Sequence, residues 1–318
     1  MADVRRDGDP QVIEQTRTIS KLFPDDITMI AESTESQMVL FASENKNEVW
    51  GYKFYTQGER RVQSAWFRWE LPGTVSFHCM MDDTYYAILK NGSTYSMQAF
   101  DIKKATDTLV VGTAPLDYLI HLDTKSSIGS ASLTYNPATN KTSMTKPTGY
   151  DNSGQLAVFC KTAGDNIGRF SKATVDGSNL VWDGEWTGLD IILGYLYEME
   201  VELPTIYIQK ATGESIRSET RGSLVVHRLN FSFGSVGLID VTLKRKGRAD
   251  YNQSYESIDW DSYLANTLSI SEEFVHTIPV YDRNTNLSVH LNSTHPSPAT
   301  LNSMTWEGDY NSKFYQRV

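Results

Sequence analysis

The chain has 318 residues, enough for a sizeable core and for two or three domains, and its 40 % hydrophobic and 21 % charged residues are those of a folded globular protein. A formal net charge of −10 and a pI of about 5.1 argue against gripping nucleic acid, because neutralising phosphates needs clustered Lys and Arg. A chain this acidic can border DNA only as a wall that repels phosphate and lets it slide.

No apolar run approaches the roughly 18 residues of a membrane span, so no stable membrane insertion is expected. The stretch Met1 to Pro10 is charged and lacks the apolar segment of a signal peptide. Aromatic residues reach 11 %, with 17 Tyr against 12 Phe, and that composition leans toward strands.

In chain order, the first predicted element is a short helix within residues 1–26. Asp9 would cap it, Pro10 would fit its first turn, and Val12, Ile13 and Ile19 would form its apolar stripe. From 27 to 122 the pattern changes to short strands. They are predicted at Ile27–Ala31, Met38–Ala42, Val49–Tyr55, Gln63–Glu70, Thr74–Met80, Tyr85–Lys90 and Thr94–Phe100, with Asn91-Gly92 as a hairpin turn. Met38-Val39-Leu40-Phe41 with Val49-Trp50-Gly51-Tyr52 is echoed, about 45–48 residues on, by Tyr86-Ala87-Ile88-Leu89 with Thr94-Tyr95-Ser96-Met97. One four-stranded blade occupies about that length, so the region predicts consecutive β-propeller blades.

Residues 123–154, rich in Ser, Thr, Gly, Asn and Pro, open a loop-rich region with hairpins over 123–192. Strands resume there at Leu156–Lys161, Arg169–Val175 and, after Asp176-Gly177, at Asn179–Trp186. The last region, 193–318, alternates most cleanly. Tyr195, Tyr197, Met199, Val201 and Leu203 share one face, and Glu198, Glu200 and Glu202 the other. Leu229, Phe231 and Phe233, then Ile239, Val241 and Leu243, repeat the pattern, which predicts an antiparallel sandwich or platform domain with one wet face per sheet. Ile258–Leu264 is a predicted short helix. The fold class is therefore all-β, with few helices.

Catalytic signatures are missing. The six histidines show no metal-ligand spacing; His290 and His295 read as loop residues beside Pro296 and Pro298. Cys79 and Cys160 are too far apart to suggest a disulfide framework or a zinc site and are expected as buried free thiols. Gly234-Ser235-Val236-Gly237 opens no helix, so no phosphate loop is read there. Asp82-Asp83 and Asp259-Trp260-Asp261 are the nearest approach to a glycosidase acid pair; both are also ordinary turn chemistry. No cofactor and no metal are expected, and the chain is not read as an enzyme.

Two charge clusters stand out. Lys244, Arg245, Lys246 and Arg248 are either a charged strand end or a contact for an acidic partner. Glu198, Glu200 and Glu202 repel one another on one strand face unless water or cations screen them. That face is either plainly solvated or the lining of a ring, where symmetry would multiply the field.

The segments Asn47-Glu48-Val49-Trp50-Gly51-Tyr52-Lys53-Phe54-Tyr55 and Arg61-Val62-Gln63-Ser64-Ala65-Trp66-Phe67-Arg68-Trp69-Glu70 resemble the tail tubular protein B, or nozzle, family of short-tailed bacteriophages. Lys21-Leu22-Phe23-Pro24, Leu193 to Val201 and Trp306 to Tyr315 fit the same family. The resemblance implies the C-terminal part of a nozzle subunit. Such a subunit belongs to a hexameric ring that extends the portal and adaptor, retains packaged DNA and conducts it during ejection. The implied partners are further copies of the chain, the tail adaptor (tail tubular protein A), tail fibres and double-stranded DNA in passage. The implied place is the virion tail, with assembly in the host cytoplasm. A tail fibre or receptor-binding module and a glycan-binding or glycan-cleaving propeller are the alternatives. The Pro-containing stretch 284–300 is a candidate for the tip of the tube.

Overall fold

A computed structural model describes residues 2–4, 10–12, 14–16, 19–57, 60–102, 119–162, 166, 168–212, 215–220, 222–256 and 273–312. Among the described residues the protein is all-β, its sheets are antiparallel, and none closes into a barrel. The chain divides into two compact units, residues 1–104 and 105–318.

The first unit opens with a hairpin, β1 (Ala2–Val4) paired to β2 (Pro10–Val12), in place of the predicted helix. An isolated helix this short is marginal, Val favours a strand, and Pro at a strand's first residue removes no interior ladder bond. Ile19 to Phe23 instead forms one hydrogen-bonded turn, with the Leu22 and Phe23 amides donating to the Ile19 carbonyl at 2.8 and 2.9 Å. Two antiparallel meanders follow. The first is β3 (Met29–Ser33), β4 (Met38–Ala42), β5 (Glu48–Gln57) and β6 (Arg60–Glu70); the second is β7 (Thr74–Met81), β8 (Thr84–Asn91) and β9 (Thr94–Asp101). The predicted runs match these strands closely because each alternates and each is bounded by turn residues. At the β8–β9 turn, Asn91 pairs with Thr94 and Gly92 takes φ +62°, a backbone angle that glycine adopts without strain.

The two meanders share one core. Leu40, Ala42 and Val49 of the first pack with Val75, Tyr85, Ala87 and Leu89 of the second. Backbone bonds stitch them as well: the Asn45 amide donates to the Val75 carbonyl at 3.3 Å, and the Val75 amide to the Lys46 carbonyl at 2.7 Å. β4 and β8 are each the second strand of a meander, which accounts for the sequence echo. Gly51 lies against the Phe67 ring, whose nearest carbon would stand 2.0 Å from an added Cβ; a side chain there would displace the ring.

The far face of the first meander is covered by the preceding segment. The Phe23 ring sits 5.5, 5.8 and 5.1 Å from the centroids of Phe41, Trp50 and Trp66. The side-chain oxygen of Gln15 accepts from the Tyr52 hydroxyl at 2.9 Å, and its carbonyl accepts from Trp66 Nε1 at 3.1 Å.

The second unit begins with a seven-stranded sheet. Its strands are β10 (Asp123–Ile128), β11 (Thr134–Asn136), β12 (Lys141–Thr145), β13 (Leu156–Cys160), β14 (Phe170–Asp176), β15 (Asn179–Asp183) and β16 (Ile191–Tyr195), in spatial order 10-16-13-14-15-12-11. The loop-rich stretch 123–154 thus supplies three strands. β13 is buried throughout because both faces of this sheet are covered, one by a cluster holding Trp186, the other by Ile120 and Leu122.

The rest of the unit comprises β17 (Met199–Leu203), the hairpin β18 (Gln209–Thr212) and β19 (Ser215–Ser218), β20 (Ser223–Val236), β21 (Leu238–Arg245), β22 (Tyr251–Glu256), β23 (Phe274–Arg283), β24 (Leu287–Ser293) and β25 (Ala299–Asn311). Sheet 17-24-21-22 packs on sheet 23-20-25, and Leu229, Phe231, Phe233, Ile239, Val241 and Leu243 fill the space between them. The alternation from Tyr195 to Leu203 does not belong to one strand. The chain leaves the seven-stranded sheet at Tyr195 and joins the sandwich at Met199. The Leu196 amide bonds the Gln155 carbonyl, and its side chain packs beside Ile120 and Phe159.

Two further expectations change. His290 lies on strand β24, not in a loop. Stretch 284–300 is no projecting tip, since Leu287–Ser293 is a strand and Pro296, Ser297 and Pro298 are buried. Asp259-Trp260-Asp261 and the predicted helix Ile258–Leu264 lie outside the described residues.

Candidate functional site

Sheet register decides which charged residues meet. In β17, β24 and β21, Glu200, Asn292 and Asp240 stand opposite one another in one row, and Glu202, His290 and Thr242 in the next. Residues opposite one another across antiparallel strands share a face, so these six project together, away from the core. Ser288 and Lys244 continue the face. The intervening residues Val241, Leu243, Val289 and Leu291 point inward and are buried, which leaves the outer face wholly polar along these rows.

The three glutamates are brought together, and neighbours within the sheet hold them. Glu198 accepts a hydrogen bond from the Asn292 side chain. Glu202 Oε1 accepts from the Ser288 hydroxyl at 2.8 Å. His290 stands between Glu200 and Glu202, its two ring nitrogens 3.6 and 4.0 Å from their carboxylate oxygens, and its side chain is only 14 % exposed. Glu200 and Glu202 remain 63 and 64 % exposed. Pairs this exposed add little to stability, whereas the summed field of four carboxylates with Asp240 is a property of the whole face. β17 is also the edge of its sheet, and a row of charges there discourages unwanted strand pairing.

The basic cluster does not stay together. Lys244 points outward beside Ser288. Arg245, one residue on, turns the other way and donates to the Val280 carbonyl at 3.3 Å. Arg248 lies 3.9 Å from Asp282, and Lys246 is exposed in the turn between β21 and β22. Period-two alternation therefore splits four adjacent charges between two faces and a turn.

No acid pair for sugar chemistry emerges from Asp82-Asp83. Asp82 takes φ +51° in the β7–β8 turn, and Asp83 accepts from the Ser36 hydroxyl at 2.7 Å. Among the described residues no three His, Cys, Asp or Glu side chains are placed to hold a metal. Cys79 and Cys160 are free thiols, Cys160 buried and Cys79 half-buried.

Sequence reasoning missed a second titratable cluster. His121 Nδ1 lies 2.9 Å from the Tyr197 hydroxyl. Burial lowers the His121 pKa, helped by the Lys125 charge. Tyr197 leaves 42 % of its surface exposed, but enclosure of its hydroxyl end, with the Asp123 carboxylate nearby, pushes the phenol up to about 12. A separation of 76 positions between the partners leaves no signal in local pattern.

With this arrangement in hand, the comparisons are decisive on one point. A family model described as bacteriophage nozzle protein matches residues 3–317. The chain belongs to the bacteriophage nozzle protein family. It is a structural component of a phage tail, as the segments around Trp50 and Trp66 implied. A search of curated proteins returns no match.

Proposed function

We propose that the chain is one subunit of a hexameric nozzle ring that extends the portal–adaptor channel, retains packaged DNA and conducts it during ejection. The observation that carries this reading is the family match over nearly the whole chain, joined to a sheet face bearing Glu200, Glu202 and Asp240, with Glu198 held beside it by Asn292. Facing the lumen, that surface would repel phosphate at every point of the ring and keep the genome from adhering to the wall. The two meanders that share a core are consecutive blades of a propeller, supported by their order and by the stitching of Val75 to Asn45 and Lys46. The ring is assembled in the host cytoplasm and meets the adaptor and the tail fibres in the virion. Its work is scaffolding, without catalysis. Lys244, Lys246 and Arg248, the exposed members of the basic cluster, are its contacts for an acidic partner.

Native mass measurement of the purified chain tests the ring: a species near six subunits is expected, and three would point to a fibre. Replacing Glu198, Glu200 and Glu202 together by Gln is expected to leave assembly intact and to slow DNA release from reconstituted particles. Unchanged release kinetics would remove these residues from the lumen.

A further inference from the structure

The connection from β24 to β25 contains His295-Pro296-Ser297-Pro298 and touches both halves of the second unit. Toward the sandwich, the Pro298 carbonyl accepts the Gly237 amide at 3.0 Å and the Ser297 hydroxyl oxygen accepts the Leu238 amide at 3.3 Å. The Ser293 hydroxyl donates to the Leu238 carbonyl at 2.9 Å. Toward the seven-stranded sheet, the Pro296 carbonyl accepts the His121 amide at 2.7 Å, and the His295 ring meets Phe170 of β14.

One ring atom holds this connection in its turn. His295 Nδ1 lies 3.1 Å from the Ser297 amide, which donates to it, and 2.8 Å from the Ser297 hydroxyl. A backbone amide can only donate, so Nδ1 must offer its lone pair and the ring must be neutral, with its proton on Nε2. The hydroxyl then donates to the same nitrogen and keeps its oxygen for the Leu238 amide. A proton on Nδ1 reverses that polarity. It sets one donor against another and leaves the Ser297 amide, in a residue only 3 % exposed, without its acceptor.

The surroundings do not offset a charge on the ring. Phe170 faces it from β14, and among the described residues no carboxylate pairs with it. Across the Pro296 carbonyl stands His121, with Tyr197, Asp123 and Lys125 around it. Burial and the Lys125 charge disfavour a cation at His121 as well. Asp123, though exposed as a residue, has its carboxyl raised by desolvation and so responds to acid in the opposite sense.

We propose that this connection is a proton-released latch: proton uptake at His295 undoes the Ser297 turn, frees the Pro296 and Pro298 carbonyls from His121 and Gly237, and loosens the seven-stranded sheet from the sandwich while each keeps its own core. The latch is a property of one chain and does not depend on the ring proposed above.

Hydrogen exchange on the full chain tests it, with rates corrected for the intrinsic effect of pH. Burial lowers the His295 pKa from 6.5 to about 4, so the open form, which binds the proton better, gains roughly 30-fold between pH 7.5 and pH 5. Loss of protection on that scale is expected at the amides of His121, Gly237 and Ser297, but not at Val158 and Phe231 in the two cores. His295→Asn keeps a side-chain acceptor for the Ser297 amide, as in an Asx turn, and takes up no proton. Its latch amides should stay protected in acid. Ser297→Ala keeps the titrating ring, so acid should loosen it as it does the wild type. Four results would each overturn the latch: equal protection of the wild-type latch amides at both pH values, acid loosening of wild-type size in His295→Asn, none in Ser297→Ala, or loss at Val158 and Phe231 in step with the latch.

Discussion

The second meander and the β17-β24-β21 sheet face solve the same covering problem in opposite ways. In the sandwich, apolar residues occupy one parity and polar residues the other, so Val241 and Leu291 are buried while Asp240 and Asn292 meet water. In the second meander both parities are apolar: Val75, Ala87 and Leu89 are buried on one side, Phe77, Ile88 and Met97 exposed on the other. A one-sided sheet ends a stack, whereas a two-sided sheet asks for another layer. The difference separates a face that meets water with polar groups from one that presents apolar side chains.

The comparison can be broken most severely in the sandwich core. Phe231→Ala removes a fully buried ring between the two sheets and is expected to cost about 3–5 kcal/mol, read as a lowered denaturation midpoint. A loss below about 1 kcal/mol would mean that the sheets do not pack on this residue.

Next in size is a pH effect at the loop between β24 and β25. His295 packs edge-on against Phe170 at 4.7 Å and shares a 2.8 Å hydrogen bond with the Ser297 hydroxyl. Burial lowers its pKa from 6.5 to about 4. Between those values the unfolded chain binds a proton that the folded chain refuses. Stability is therefore full above about pH 6.5 and is lost as pH falls toward 4, by roughly 3 kcal/mol over the window. Midpoints measured across that range should flatten in His295→Asn; an unchanged slope would exclude His295 as its source.

Phe23→Ala opens the plugged pole of the first meander and is expected to cost about 2 kcal/mol, since the ring is only half-buried. Tryptophan emission should shift to longer wavelength as Trp50 and Trp66 meet water, and a fixed emission maximum would contradict the packing. The smallest effect is expected on the wet face. Glu202→Gln should change stability by less than about 0.5 kcal/mol, because its carboxylate is 64 % exposed. A loss above 1 kcal/mol would show that the carboxylate is structural.

The strands of the first unit were largely legible, because each run from Met38 to Phe100 alternates and ends at turn residues such as Asn91-Gly92. The glutamate face was legible for the same reason: three acids at period two must share a side. What stayed hidden depends on distance or competition. The break between Tyr195 and Met199 preserves the alternation while changing sheets. The N-terminal stripe fits a helix and a strand alike, and pairing with Ala2–Val4 decides it. The scatter of Lys244, Arg245 and Arg248 was foreseeable, since neighbours in a strand point to opposite sides. The uncovered outer face had a signal too, in the apolar residues on both parities of Phe77-His78-Cys79-Met80.

The segment from Ser293 to Ala299 makes mechanical neighbours of the two halves of the second unit. The Pro296 carbonyl accepts the His121 amide at 2.7 Å, and the Pro298 carbonyl accepts the Gly237 amide at 3.0 Å. Tension on the seven-stranded sheet thus reaches the sandwich through peptide groups a few bonds apart, with little slack between them. Two layers riveted in this way by backbone bonds on one short segment are coupled without a linker of their own between them.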